Sequence, residues 1–164
     1  MDSDTIRPRV EARHSNERPH VLIVTDDPDL AGFLAEGLPL GGFWASVIAS
    51  GLQALEVFRL RQFDLVVLDA GMRSFEALEF LRRLRGLSSL DPNGESRTSA
   101  PVVLIADGQI DSLEQLPPTL GVAAMLVPPL ELDEVVRTLH DVFEVWRRTY
   151  PDRPLADSAS LRSF

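Results

Sequence analysis

The stretch His20-Val21-Leu22-Ile23-Val24-Thr25-Asp26-Asp27-Pro28 decides the fold. Its apolar, β-branched run reads as a short strand buried on both faces, as in a parallel sheet. The strand ends on two acids. Asp27 suits a helix N-cap and Pro28 the first helical position. Leu30, Phe33, Leu34 and Leu38 then recur at helical spacing, and Pro39 with Gly41-Gly42 ends the helix.

The same unit repeats along the chain. Phe43 to Ile48 reads as a second strand, and Ser50 caps a second helix carrying Leu52, Leu55, Val57 and Phe58. Asp64 to Asp69 is a third strand, followed from about Phe75 by a helix with Leu78, Leu81 and Leu84. A 14-residue polar loop, 87–100, precedes a fourth strand from Pro101 to Ala106. A short helix near 111–116 is stopped by Pro117-Pro118. Ala123 to Val127 is a fifth strand. The last helix, about 131–148, carries Val135, Val136, Leu139, Val142, Phe143 and Trp146. Five strands alternating with five helices predict an α/β, flavodoxin-like, doubly wound five-stranded parallel sheet of order 2-1-3-4-5.

Composition narrows the chemistry. The chain has 164 residues, no cysteine and a net charge of −9. All 16 basic residues are arginine. Disulfides, thiolate metal sites, cysteine nucleophiles, Schiff-base lysines and a phosphate-binding lysine are therefore excluded. Three scattered histidines do not suggest a histidine-rich metal site. The acidity argues against a nucleic-acid surface, and Arg82, Arg83 and Arg85 read as a solvated helix face. Residues 1–19 balance four acids with four arginines, and 149–164 two with two, so the negative excess lies in 20–148. We expect a disordered tail over 1–19, one domain over 20–148 and a polar tail over 149–164. No run suggests a signal peptide or a membrane span, so a cytoplasmic protein is expected.

In such a sheet the site lies beyond the carboxyl ends of the strands, at the switch point between strands 1 and 3. Asp26, Asp27 and Asp69 fall there. Carboxylates brought together raise one another's pKa unless they are neutralised. A hard cation such as Mg²⁺ does this with oxygen ligands, and one acid can then act as nucleophile toward a phosphoryl group.

VLIVTDDPDL (21–30), FDLVVLDAGM (63–72), PVVLIAD (101–107) and GVAAMLVPPLELDEVV (121–136) resemble, in order and spacing, the signature blocks of the response-regulator receiver domain of two-component signalling. The resemblance implies that Asp69 is the phosphoacceptor. It also implies a metal site formed by Asp26, Asp69 and the backbone carbonyl of Gly71, with Thr25 where the family has a further acid. Several family positions are altered. Ala106 replaces the switch Ser/Thr, Met125 the switch aromatic, Pro128 the lysine, Arg73-Ser74 the usual Pro-Gly, and Asp107 a small residue. By the same resemblance, the Pro128–Pro129 peptide bond is expected to be cis.

These readings converge on an atypical receiver domain in a phosphorelay. Mg²⁺ would be bound weakly, and a histidine kinase or phosphotransferase would supply the phosphoryl group. No enzymatic activity of its own is expected. The alternative is a pseudo-receiver, a protein-interaction module independent of phosphorylation. In either case a downstream partner or a second copy would use the face formed by helix 4, strand 5 and helix 5.

Overall fold

The computed structural model describes residues 18–73 and 76–156. In chain order the regular elements are β1 (His20–Val24), α1 (Pro28–Gly37), β2 (Trp44–Ile48), α2 (Gly51–Leu60), β3 (Leu65–Asp69), α3 (Ala77–Leu84), β4 (Val102–Ile105), β5 (Val122–Leu126) and α4 (Leu132–Thr149). All strand pairs are parallel and the order is β2-β1-β3-β4-β5.

Alternation along the central strands builds two cores. Leu22, Val24, Val66, Leu68, Val102 and Leu104 face α2 and α3, where Ala54, Leu55, Phe58, Phe80, Leu81 and Leu84 meet them. Val21, Ile23, Leu65, Val67, Val103 and Ile105 face α1 and α4, against Leu34, Leu38, Val135, Leu139 and Phe143. Both faces of the sheet are covered, which explains the absence of polar alternation in β1, β3 and β4. The α2 stripe is Ala54, Leu55, Val57 and Phe58, whereas Leu52 points to solvent.

The expected fifth helix is corrected. Four α-helices occur among the described residues, and the β4–β5 connection contains only the 3-10 turns Leu113–Gln115 and Pro118–Leu120. Pro117 and Pro118 lack the N–H groups a longer helix would need. Gly121 then turns the chain at φ 69°, a conformation glycine adopts without steric cost. The face assigned to helix 4, strand 5 and helix 5 is therefore made of these turns, β5 and α4. α3 starts at Ala77; Phe75, from which it was expected to run, and Ser74 lie outside the described residues.

The long 87–100 segment is fastened rather than loose. Arg85, just past α3, donates from Nε to Leu120 O, from Nη1 to Thr98 O and from Nη2 to Ala100 O and Gly121 O. Glu79 accepts from Ser88 Oγ and from Arg83 Nε. Beyond α4, Tyr150–Ala156 folds back under the start of the sheet. Leu155 joins the α1–α4 core, and Ala156 N donates to Asp64 Oδ1 at 3.0 Å. Trp146 packs on the same core and its Nε1 donates to Ser99 O.

Candidate functional site

The parallel register pairs Val24 with Leu68, so the next residues, Thr25 and Asp69, leave the sheet side by side at its carboxyl edge. Thr25 is buried, and its hydroxyl donates to Asp69 Oδ2 at 2.7 Å. The same Oγ1 accepts from Asp27 N at 3.1 Å. The other Asp69 oxygen, Oδ1, accepts from Gly71 N at 2.9 Å. Asp26 Oδ2 accepts from Arg73 N at 3.2 Å, which ties the β1–α1 loop to the loop after β3. Asp26 and Asp69 thus share one rim, held by groups from both loops.

The neighbouring acids do other work. Asp27 is the N-cap of α1, where its Oδ1 accepts from Asp29 N and Leu30 N, and Pro28 takes the first turn as expected. Asp107 Oδ1 accepts from Gln109 N and Ile110 N and shapes the turn after β4. A cleft of about 390 Å³ opens over Asp69. Asp27, Asp29, Gly71 and Asp107 line its rim, and Phe33, Ile105, Ala106, Pro128 and Leu130 give it an apolar wall. Ala106 and Pro128 thus line the cleft beside Asp69 with groups that cannot donate a side-chain hydrogen bond. The Pro128–Pro129 bond is cis.

A divalent cation fits this pocket only in part. Asp26, Asp69 and the Gly71 carbonyl, the expected ligands, would supply oxygen donors of the kind that suits Mg²⁺. Yet among the described residues no group of three acid or imidazole side chains is spaced to hold a metal. Two carboxylates leave most of the coordination shell to water, the arrangement of a weak Mg²⁺ site.

Sequence reasoning missed the Thr25–Asp69 bond. Its signal was the register that follows from pairing two apolar strands, since adjacent parallel strands put their end residues side by side. Nor does residue type reveal the contact of Arg73 to Asp26, which comes from the Arg73 backbone.

No protein-family model matches the chain. It is 27 % identical over 115 residues to sporulation initiation phosphotransferase F of Bacillus subtilis, covering 70 % of this chain and 86 % of that protein. Of several other curated relatives, mostly transcriptional regulators, it spans 27–49 % of their length. The receiver domain of the TMAO respiratory response regulator TorR superposes with TM-score 0.63 at 25 % identity, over 79 % of this chain and 98 % of that one. The receiver domain of the sensor histidine kinase PA1611 from Pseudomonas aeruginosa PAO1, described with magnesium in its active-site cleft, gives TM-score 0.63 at 17 % identity, over 77 % and 98 %. The sheet order, the acidic rim and these likenesses support a receiver domain of the response-regulator type as the class the chain resembles. Solved structures that it resembles are described as response regulators. No described helix is long and apolar enough to cross a membrane.

Proposed function

We propose that the chain is an atypical receiver in a cytoplasmic two-component phosphorelay. Asp69 accepts a phosphoryl group from a histidine kinase or phosphotransferase. An Asp69 carboxylate oxygen forms the new P–O bond while the donor's P–N bond breaks and the imidazole leaves. Asp26, Asp69 and the Gly71 carbonyl would hold Mg²⁺, which supplies charge neutralisation for the transferred oxygens. The observation that carries this reading is Asp69 at the end of β3, in an open cleft, with Asp26 tied to its own loop at 3.2 Å.

Conventional switching is absent from this proposal. A ligand shifts a conformational equilibrium only through contacts that differ between the states. Ala106 has no hydroxyl to follow a phosphoryl group, and Pro128 has no ammonium to meet it. The output surface is the groove of about 480 Å³ between β5 and α4, lined by Ala123, Ala124, Val142, Val145 and Trp146. It would take a downstream protein or a second copy.

A pseudo-receiver is the second reading. It is favoured by the engagement of both Asp69 oxygens, by Thr25 and by Gly71, without any added group. Incubation with Mg²⁺ and acetyl phosphate, followed by intact mass, separates the two. An adduct of about 80 Da that disappears in Asp69→Asn supports the acceptor role. No adduct at millimolar Mg²⁺ overturns it in favour of the interaction module.

A further inference from the structure

We infer that Thr25 is a positioning residue that does by hydrogen bonding what a bound cation would otherwise do: it fixes the Asp69 carboxylate and makes its orientation independent of divalent metal. The inference deepens the proposed receiver function and rests on it only for the role of Asp69. A threonine hydroxyl has one proton to give and lone pairs to receive. Here the proton goes to Asp69 Oδ2 and a lone pair receives Asp27 N–H. Thr25 is 1 % exposed, so the hydroxyl has little water to turn to. Its χ1 is stiff because it is β-branched.

Three bonds then set the pocket without a metal. Thr25 Oγ1 holds one oxygen of Asp69, Gly71 N holds the other, and Arg73 N holds Asp26. A neutral donor in this place also has an electrostatic effect. An acid at position 25 would add a carboxylate beside Asp69, and two such charges ask for a cation. Threonine lessens that demand to the Asp26 and Asp69 carboxylates, and its hydroxyl binds the Asp69 charge instead. The pocket is therefore arranged alike with and without Mg²⁺.

The test is a Mg²⁺ titration of the whole chain by ¹H–¹⁵N NMR. The readouts are the amides of Asp69, Gly71 and Arg73 and the side-chain ¹³C carboxyl resonance of Asp69, with circular dichroism to confirm folding. In wild type and Thr25→Ser, Mg²⁺ should move these signals only at high concentration and by small amounts. Thr25→Asp should lower the half-saturating Mg²⁺ by about tenfold or more, because it adds a third carboxylate. Thr25→Val, which keeps the shape and loses the proton, should shift the Asp69 carboxyl resonance without tightening Mg²⁺ binding. If Thr25→Asp binds Mg²⁺ no better than wild type, or if Thr25→Val leaves the Asp69 resonance in place, the inference is overturned. Neither readout involves a phosphoryl group. A missing acetyl phosphate adduct would sink the acceptor role and leave this result standing.

Discussion

Replacing Arg85 with methionine should cost this small domain a large part of its stability. The guanidinium makes three bonds of 2.7–2.9 Å to the carbonyls of Leu120, Thr98 and Ala100, and a longer one to Gly121 O at 3.3 Å. It thereby joins the end of α3, the end of the polar loop and the turn before β5. Burial pulls its pKa down, a sign that the charge is held away from water. A bond of this type contributes about 1–1.5 kcal/mol net, and somewhat more when charged, so three good ones come to roughly 3–5 kcal/mol. Methionine keeps most of the aliphatic stem, so little of the loss is lost packing. Urea unfolding followed by far-UV circular dichroism measures it, because the free energy falls linearly with denaturant. Arg85→Lys should recover only a minor part, since one ammonium cannot span carbonyls on three segments. A loss below about 1 kcal/mol for Arg85→Met would show that the loop and turn keep their places without the guanidinium, and the reasoning would fail.

Stability should fall in mild acid through His20. Burial, with the Arg61 charge, lowers its pKa from 6.5 to about 4. The unfolded chain takes up the proton first, so this contribution is complete above pH 6.5 and is lost as pH falls toward 4. Its full size is roughly 3 kcal/mol. Asp64, raised by burial, works in the opposite direction because protonation relieves its cost. Urea melts at pH 7, 5.5 and 4.5 should show the decline, and His20→Phe should flatten it; an equal slope in that variant would remove His20 as the cause. Gly121→Ala should cost about 1–3 kcal/mol, since alanine is strained at φ 69° and its Cβ would meet Arg85 Nη2 at 2.6 Å; an unchanged urea midpoint would count against it. If the acetyl phosphate adduct forms, Ala106→Thr should enlarge the adduct-dependent shift of the Met125 amide on β5. Identical shifts in both chains would mean that a hydroxyl at position 106 is not the missing contact.

Much of the architecture can be read from residue order because the physics is local. HVLIV, LVVLD and VVLI have no polar face, and only a sheet covered on both sides satisfies that. Asp27 followed by Pro28 marks the start of α1 by backbone chemistry alone. Other features are set by distant partners. Leu52 fits a helical stripe on paper, yet α2 is rotated so that Ala54, Leu55 and Phe58 face the sheet. Residues 111–116 are too short and too close to two prolines to continue as a helix, and the turns there are held by Ser112 and Gln115 capping one another. Arg85 reads as one of three solvated arginines until Thr98, Ala100, Leu120 and Gly121 are brought around it. The acids of the site were legible, but their partners were not. Gly71 N, Arg73 N and Asp27 N are backbone groups whose direction no side-chain pattern reports.

The retained and the altered residues of the pocket do two different jobs. Asp26 and Asp69 are held by groups the fold itself supplies: a threonine at the end of β1 and amides in two loops. Those bonds exist in the unmodified chain and owe nothing to an added group. The altered positions, 106 and 128, lie across the cleft, where a phosphoryl group on Asp69 would find a hydroxyl or an ammonium in the family pattern. Each such contact to a charged group contributes about 1.5–3 kcal/mol. That is the same size as a typical coupling free energy between sites, about 1–3 kcal/mol. On the proposed reading, lacking both takes away as much energy as switching ordinarily uses, while leaving Asp69 in place. In the proposed receiver, a pocket altered in this way would be charged without being read, and its signal would then pass through a partner that touches the modified aspartate directly or through a surface that does not depend on it.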